Sequence, residues 1–271
     1  MHTYHLTLHH WAAFSPDRKE PGEWASWAAG PSRAPSCPAE PYKPDLPGVP
    51  PMLRRRLSGM GKAALWCAGQ VLDANTGPEP VTSIFCSQHG EVSRTVALLK
   101  ELAEQSPLSP ASFSLSVHNA IGGIHSIAGG VEHSITAIAG GPDSPFSALL
   151  EAWSQLRFRQ LKGEASERAL CVIYDDELPM EVADAEARQG DVQAMALLVS
   201  CGDVPTEGNT LTFSFTLAPG VEAEEDPSAD VATDTLLKFV LDDERQTVSF
   251  QGDGRSWSFS RYNLEAPRAR S

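Results

Sequence analysis

Residues 169 to 174 read Ala-Leu-Cys-Val-Ile-Tyr, an apolar run closed abruptly by Asp175-Asp176-Glu177. A strand that is apolar on both faces has to be covered on both, which a solvent-facing antiparallel strand does not require. The run therefore predicts a buried parallel strand with helices above and below it. Such a strand commits its neighbours to a layered α/β architecture.

The preceding chain supplies suitable neighbours. Tyr4, Leu6 and Leu8 alternate with polar residues, and Val81 to Cys86 is a short apolar strand. Ser112 to Val117 alternates again, and Ser134 to Ala139 has strand character. Helical spacing joins Trp24 to Trp27, runs from Leu53 to Val71, links Val92, Val96, Leu99 and Leu102, and continues from Phe146 to Leu156. Later, Met195 to Ser200, Leu211 to Leu217, Thr247 to Gln251 and Ser256 to Arg261 read as strands, with a helix at Leu236 to Leu241. Residues 31–51 are proline-rich and read as a surface loop, and residues 221–234 form an acidic loop. With no internal repeat, residues 1–271 read as one domain.

Bulk composition excludes several functions. Twenty-one Lys and Arg against 35 Asp and Glu give a net charge of −14, a poor match for a phosphate backbone. Arg54, Arg55 and Arg56 form the one dense basic run, which suits either a solvated helix start or an acidic partner. The weakly polar stretch from Ala120 to Gly141 is interrupted by His125, Glu132, His133 and glycines, so no membrane span is expected. Met1 to His5 lacks the basic region of a signal peptide. Five scattered cysteines without a Cys-x-x-Cys fit buried thiols in a reducing cytoplasm. His118 and His125 share a helical face only if the helix starts early, and two histidines make a poor metal site, so none is expected. Cys86 near His89 invites a thiol–histidine reading but better fits plain core, and Asp175 to Glu177 could bind a cation but better fits a solvated turn. No nucleotide-binding or hydrolase motif occurs, and no cofactor is expected.

The segment from Ser109 to Gly123 reads as a buried strand running straight into a helix. Such an elbow points its first helical side chain past the strand end, where unpaired backbone N–H groups favour developing negative charge. Gly122 and Gly123 permit close approach of another backbone. The same pattern equally suits tight helix–strand packing without chemistry.

Ala120-Ile121-Gly122 after this strand resembles the nucleophile elbow of the β-ketoacyl synthases, whose fold is thiolase-like. The wording Ser-Val-His-Asn-Ala is similar to a short, divergent branch of that family from aryl polyene and type II polyketide systems. Trp11 to Phe14, Trp24 to Trp27, Arg54 to Ser58, Phe85 to Glu91 and Val172 to Pro179 carry the resemblance further, over roughly residues 1–180. It implies a thiolase-like layered fold whose N-terminal half is complete and whose C-terminal part is shortened or divergent.

The same alignment puts Asn119 where the family carries its acylated cysteine, with His118 adjacent. Neither forms the acyl thioester. The family's two C-terminal-half histidines have no counterpart, since every histidine here lies at or before His133. The resemblance thus implies a non-catalytic, chain-length-factor-like subunit in polyketide, aryl polyene or fatty-acid-like biosynthesis. Its expected partner is a full-length ketosynthase, with an acyl carrier protein reached through the complex. Leu115, Val117, Ile121, Gly122, Gly123, Ile124 and Ile127 are the candidates for the interface or the tunnel's far end, across the strand preceding Asn119. A stand-alone acyltransferase using His118 or a cysteine is the alternative.

Overall fold

The computed structural model describes residues 2–18, 21–30, 43–74, 81–163, 168–183, 193–202, 211–219, 231–252 and 254–261. Eight strands form one sheet: β1 (Thr3–Phe14), β2 (Thr82–Cys86), β3 (Ile135–Ile138), β4 (Ala169–Tyr174), β5 (Ala194–Cys201), β6 (Leu211–Pro219), β7 (Thr247–Gln251) and β8 (Arg255–Arg261). Their order is β3-β2-β4-β5-β1-β6-β8-β7. All six residues of β4 are buried. Its neighbour β2 is parallel, but β5 on its other side is antiparallel, so the predicted parallel setting holds on one side only. Burial on both faces is what the apolar run demands, and strand direction does not change it.

Alternation along each strand divides the core into two. Ala169, Cys171 and Ile173 of β4 join Met195, Leu197 and Val199 of β5 on one face. That face is covered by α1 (Pro21–Ala28), α7 (Ser144–Lys162) and α8 (Ala232–Leu241). Leu170, Val172 and Tyr174 face the other way, with Phe85 of β2 and Leu198 of β5. There the cover is α3 (Gly59–Ala74) and α6 (Ala120–Gly129). Each large aliphatic side chain buried this way contributes about 1.5–3 kcal/mol, so both layers are firmly attached.

The last third belongs to the same sheet. β1 lies between β5 and β6, antiparallel to each, and β8 and β7 extend the sheet beyond β6. A buried carboxylate ties this extension to the rest: Asp143, fully buried at the start of α7, accepts from Arg255 at 2.8 Å and from the Trp257 indole at 2.5 Å. Phe146 one turn further on packs against Phe250, Trp257 and Phe259.

Some elements differ from expectation. Ser112 to Val117 is not a strand: α5 (Pro110–Ser114) is a short helix, followed by a turn into α6. Ser109 accepts from the Ser112 backbone N–H and Pro110 occupies the first helical position, a pairing that starts helices. Both edges of β2 are already taken, by β3 and β4. The helix expected from Leu53 to Val71 is broken into α2 (Pro51–Arg54) and α3, with Ser58 accepting from the Gly61 N–H at the restart. Of the proline-rich loop, residues 31–42 lie outside the described residues, and Pro51 already begins α2. Of the acidic loop, residues 221–230 lie outside them, while Ala232 to Asp234 open α8.

Candidate functional site

The parallel strands β2, β3 and β4 end at one rim of the sheet, and the turn into α6 lies over that rim. His118 is fixed there by its Nε2, 2.7 Å from the carbonyl of Ile138 at the end of β3. A carbonyl only accepts, so Nε2 carries the proton and donates. On the ring's other side is Gly90, whose φ of +61° is a left-handed conformation. A Cβ there would lie 2.6 Å from His118 Nδ1. The imidazole is held from both ends.

The loop carrying Gly90 follows β2 and is stitched to β4. Asp175 accepts from the Ser87 hydroxyl at 2.8 Å, the Gln88 N–H at 2.9 Å and the His89 N–H at 3.2 Å. Ser87 Oγ in turn accepts from the Gly90 N–H at 2.7 Å. Burial pushes the Asp175 carboxyl above its ordinary value, and the hydrogen bonds from Gln88, Ser87 and His89 oppose that shift. The expected solvated turn at Asp175 is thus a hydrogen-bonded clasp between two strand ends. Both stretches carry the resemblance, but the link from Asp175 to Ser87 and Gly90 escaped sequence reasoning, although a glycine four residues past a buried strand and an Asp directly after another were visible cues.

Asn119 is exposed, with no side-chain capping bond to α6. The remaining candidates separate by direction. Ile121, Gly122 and Ile124 are buried under α6, and a Cβ on Gly122 would meet Ile135 Cγ2 at 3.0 Å and Phe85 at 3.3 Å. Gly123 has open space around it. Leu115 is half-buried, whereas Val117 and Ile127 are 47 % and 71 % exposed. His125 turns inward against Phe85, ring centroids 5.2 Å apart, and burial lowers its pKa. Because α6 begins at Ala120, His118 and His125 do not form a pair on one helix. Among the described residues no group of three or more His, Cys, Asp or Glu could hold a metal.

The fully buried cysteines Cys67, Cys86 and Cys171 offer no ready nucleophile. Cys86 donates to the Ser144 carbonyl at 3.1 Å, and burial pushes its thiol up to about 12. Burial also raises Cys67 and Cys171, keeping them as protonated core side chains. Cys37 lies outside the described residues.

β3 closes one end of the sheet, and among the described residues its outer edge is unpaired. Thr136 of β3 accepts from Gln155 of α7 at 2.8 Å, which sets the C-terminal half of α7 beside this strand. Exposed apolar side chains lie on both covering layers there: Ile127 on α6, and Phe158 and Leu161 on α7.

A sheet covered on both faces, with a glycine-bearing helix starting over the ends of its parallel strands, defines a thiolase-like ketosynthase fold. Residues 24–260 match the family described as beta-ketoacyl synthase, N-terminal domain, and the chain belongs to that family. A chain from the complex of the ketosynthase ApeO with its chain length factor ApeC, from Xenorhabdus doucetiae, is similar at 27 % identity and a TM-score of 0.75. The match covers 94 % of this chain and 99 % of that one. A chain from AntDE:AntF, a type II PKS acyl-carrier protein in complex with its ketosynthase bound to the hexaketide, shares the fold at 13 % identity and a TM-score of 0.63. That match covers 96 % of this chain and all of the other. A beta-ketoacyl synthase from Burkholderia phymatum STM815 shares it at 12 % identity and a TM-score of 0.56, over 74 % of this chain and 60 % of that one. No curated protein matches significantly.

Proposed function

We propose that this chain acts as a single-domain, non-catalytic, chain-length-factor-like subunit that pairs with a full ketosynthase in polyketide, aryl polyene or fatty-acid-like biosynthesis in the cytoplasm. The observation that carries the reading is that Asn119, which the resemblance aligns with the family's acylated cysteine, is an exposed amide. An amide cannot form an acyl thioester. The nearest substitute, His118, has its Nε2 engaged by Ile138 and its Nδ1 side closed by Gly90. The family's C-terminal-half histidines, which support the condensation, have no counterpart in the sequence.

The open edge of β3 supports pairing. A strand edge unpaired among the described residues and flanked on both layers by Ile127, Phe158 and Leu161 favours continuation of the sheet into a second subunit. The interface therefore moves from the segment before Asn119, where a strand was expected, to β3, with Val117 and Ile127 contacting the partner. Ile121 and Ile124 then serve as the floor that holds α6 in place. The near-equal length of the matched chain from the ApeO–ApeC complex also favours a role within such a pair. An acyl carrier protein would reach the site through that complex, as one accompanies the ketosynthase in the AntDE:AntF structure.

The test is co-expression with a candidate full ketosynthase, purifying through this chain alone. A one-to-one complex whose condensing activity vanishes with the partner's active cysteine, and survives Asn119→Ala, is the expected result. Acylation of this chain alone by acyl thioesters would overturn the non-catalytic reading in favour of a stand-alone acyltransferase.

A further inference from the structure

The helix α4 (Val92–Ala103) carries Arg94, Ala97, Leu98 and Glu101 on one face, at the i, i+3, i+4 and i+7 spacing of successive turns. That face walls a cleft of about 340 Å³, completed by Ser58 from the turn before α3 and Ser112 of α5. Ala97 has the smallest side chain of the four, so the middle of the wall is open.

The two carboxylates of the cleft differ. Glu91 is buried and satisfied: it accepts from the Ser58 hydroxyl at 2.7 Å and pairs with Arg94 Nε at 3.4 Å. Arg94 is held further by donating to the Arg56 carbonyl at 3.2 Å. Glu101 Oε2 is also out of solvent, yet among the described residues it has no hydrogen-bond partner. Its neighbour Lys100 is committed elsewhere, to Glu181. A carboxylate oxygen removed from water without a donor is costly, so a donor that reaches it gains what no contact within the described chain supplies. Glu91 and Arg94 cancel each other's charge, which leaves Glu101 as the net charge of the cleft.

These features define an occupant. It brings one positive charge and an N–H, because Oε2 calls for a donor as well as a cation. No aromatic ring lines the cleft, so there is no cage for a fully methylated ammonium. Ala97 and Leu98 offer a floor for methylene groups, and the Ser112 hydroxyl is a further acceptor on the facing wall. The volume is at the small end for ligand sites, which keeps the alkyl part short. We propose that this cleft binds a short primary alkylammonium, its nitrogen donating to Glu101 and its methylenes lying over Ala97 and Leu98. The site stands apart from the elbow and does not depend on the ketosynthase pairing.

The experiment titrates n-butylamine, charged at neutral pH, into the isotope-labelled full chain and follows the backbone amide resonances. Saturable shifts confined to the surroundings of Ala97, Glu101 and Ser112 are expected. Glu101→Gln should weaken binding at least about tenfold, as for a lost charge-assisted hydrogen bond. Ala97→Leu, which fills the middle of the cleft and leaves Glu101 in place, should weaken it as much. 1-Butanol lacks the charge and butyltrimethylammonium lacks the N–H, so each should bind at least about tenfold more weakly than the amine. Shifts that spread over the surface without saturating would be general attraction to a chain of net charge −14, and would overturn the proposal. So would undiminished binding by the Glu101→Gln chain, or equal binding of butyltrimethylammonium. A lysine side chain of another protein offers the same chemistry as a free amine, and the co-purified ketosynthase complex separates the two sources. Amine binding there with the affinity of the isolated chain assigns the site to a free amine. Exclusion of the amine, with a complex loosened by Glu101→Gln, assigns it to a lysine of the partner.

Discussion

Gly90 and His118 are in such close contact that a side chain on one excludes the other: a Cβ on Gly90 would lie 2.6 Å from the imidazole Nδ1. The glycine is also at φ +61°, so two costs coincide there. Gly90→Ala should destabilise the protein by more than about 1 kcal/mol in denaturant unfolding. Gly90→Ala with His118→Ala should recover the steric part and leave the backbone part. Full recovery would show that the left-handed backbone contributes nothing.

The two glycines of α6 should behave oppositely. Gly122→Ala pushes a methyl against Ile135 and Phe85, so it should cost about 1–3 kcal/mol and weaken pairing through β3. Gly123→Ala meets open space within a helix and should stabilise by about 0.5–1 kcal/mol. Thermal unfolding of both, beside co-purification with a ketosynthase, checks the contrast.

Asp143 should be the costliest single carboxylate to lose. Asp143→Ala leaves the buried Trp257 N–H without an acceptor, while the partly exposed Arg255 keeps the Gly140 carbonyl, for a loss of about 1–3 kcal/mol. Loss of near-ultraviolet dichroism from the Phe146–Trp257 cluster should accompany it.

Burial holds His125 neutral by lowering its pKa below 6.5. A base depressed in the folded state contributes stability that is complete above its unfolded value and is lost as pH falls through the folded one. His125→Phe should therefore flatten the decline in unfolding free energy below about pH 6.5. The residual slope should include His9, which burial lowers in the same direction. Identical pH profiles for variant and parent would remove His125 as a source.

Most of the sheet was legible because burial on two faces leaves an unambiguous apolar run, as in β4, and half-burial leaves alternation, as in β8. Direction left no such trace: β4 pairs parallel on one edge and antiparallel on the other. The segment from Ser112 to Val117 alternates like a strand, yet a Ser-Pro helix start decides it locally, and β2 has no free edge to offer. At the elbow, the resemblance singles out Asn119 and His118. The imidazole's partners, the Ile138 carbonyl and Gly90, were not, because a backbone carbonyl has no sequence signature and the contact joins distant segments.

β1 is paired along its length with strands that follow it by most of the chain: Leu6 faces Cys201 on one side and Phe213 on the other. During synthesis, therefore, the earliest strand emerges with both edges open and stays so until β5 and β6 have left the ribosome. Such non-local closure is slow. Fragments ending before residue 211 lack β6, so the Thr3–Leu8 edge of β1 becomes an outer edge of their sheet, the kind of edge that templates aggregation.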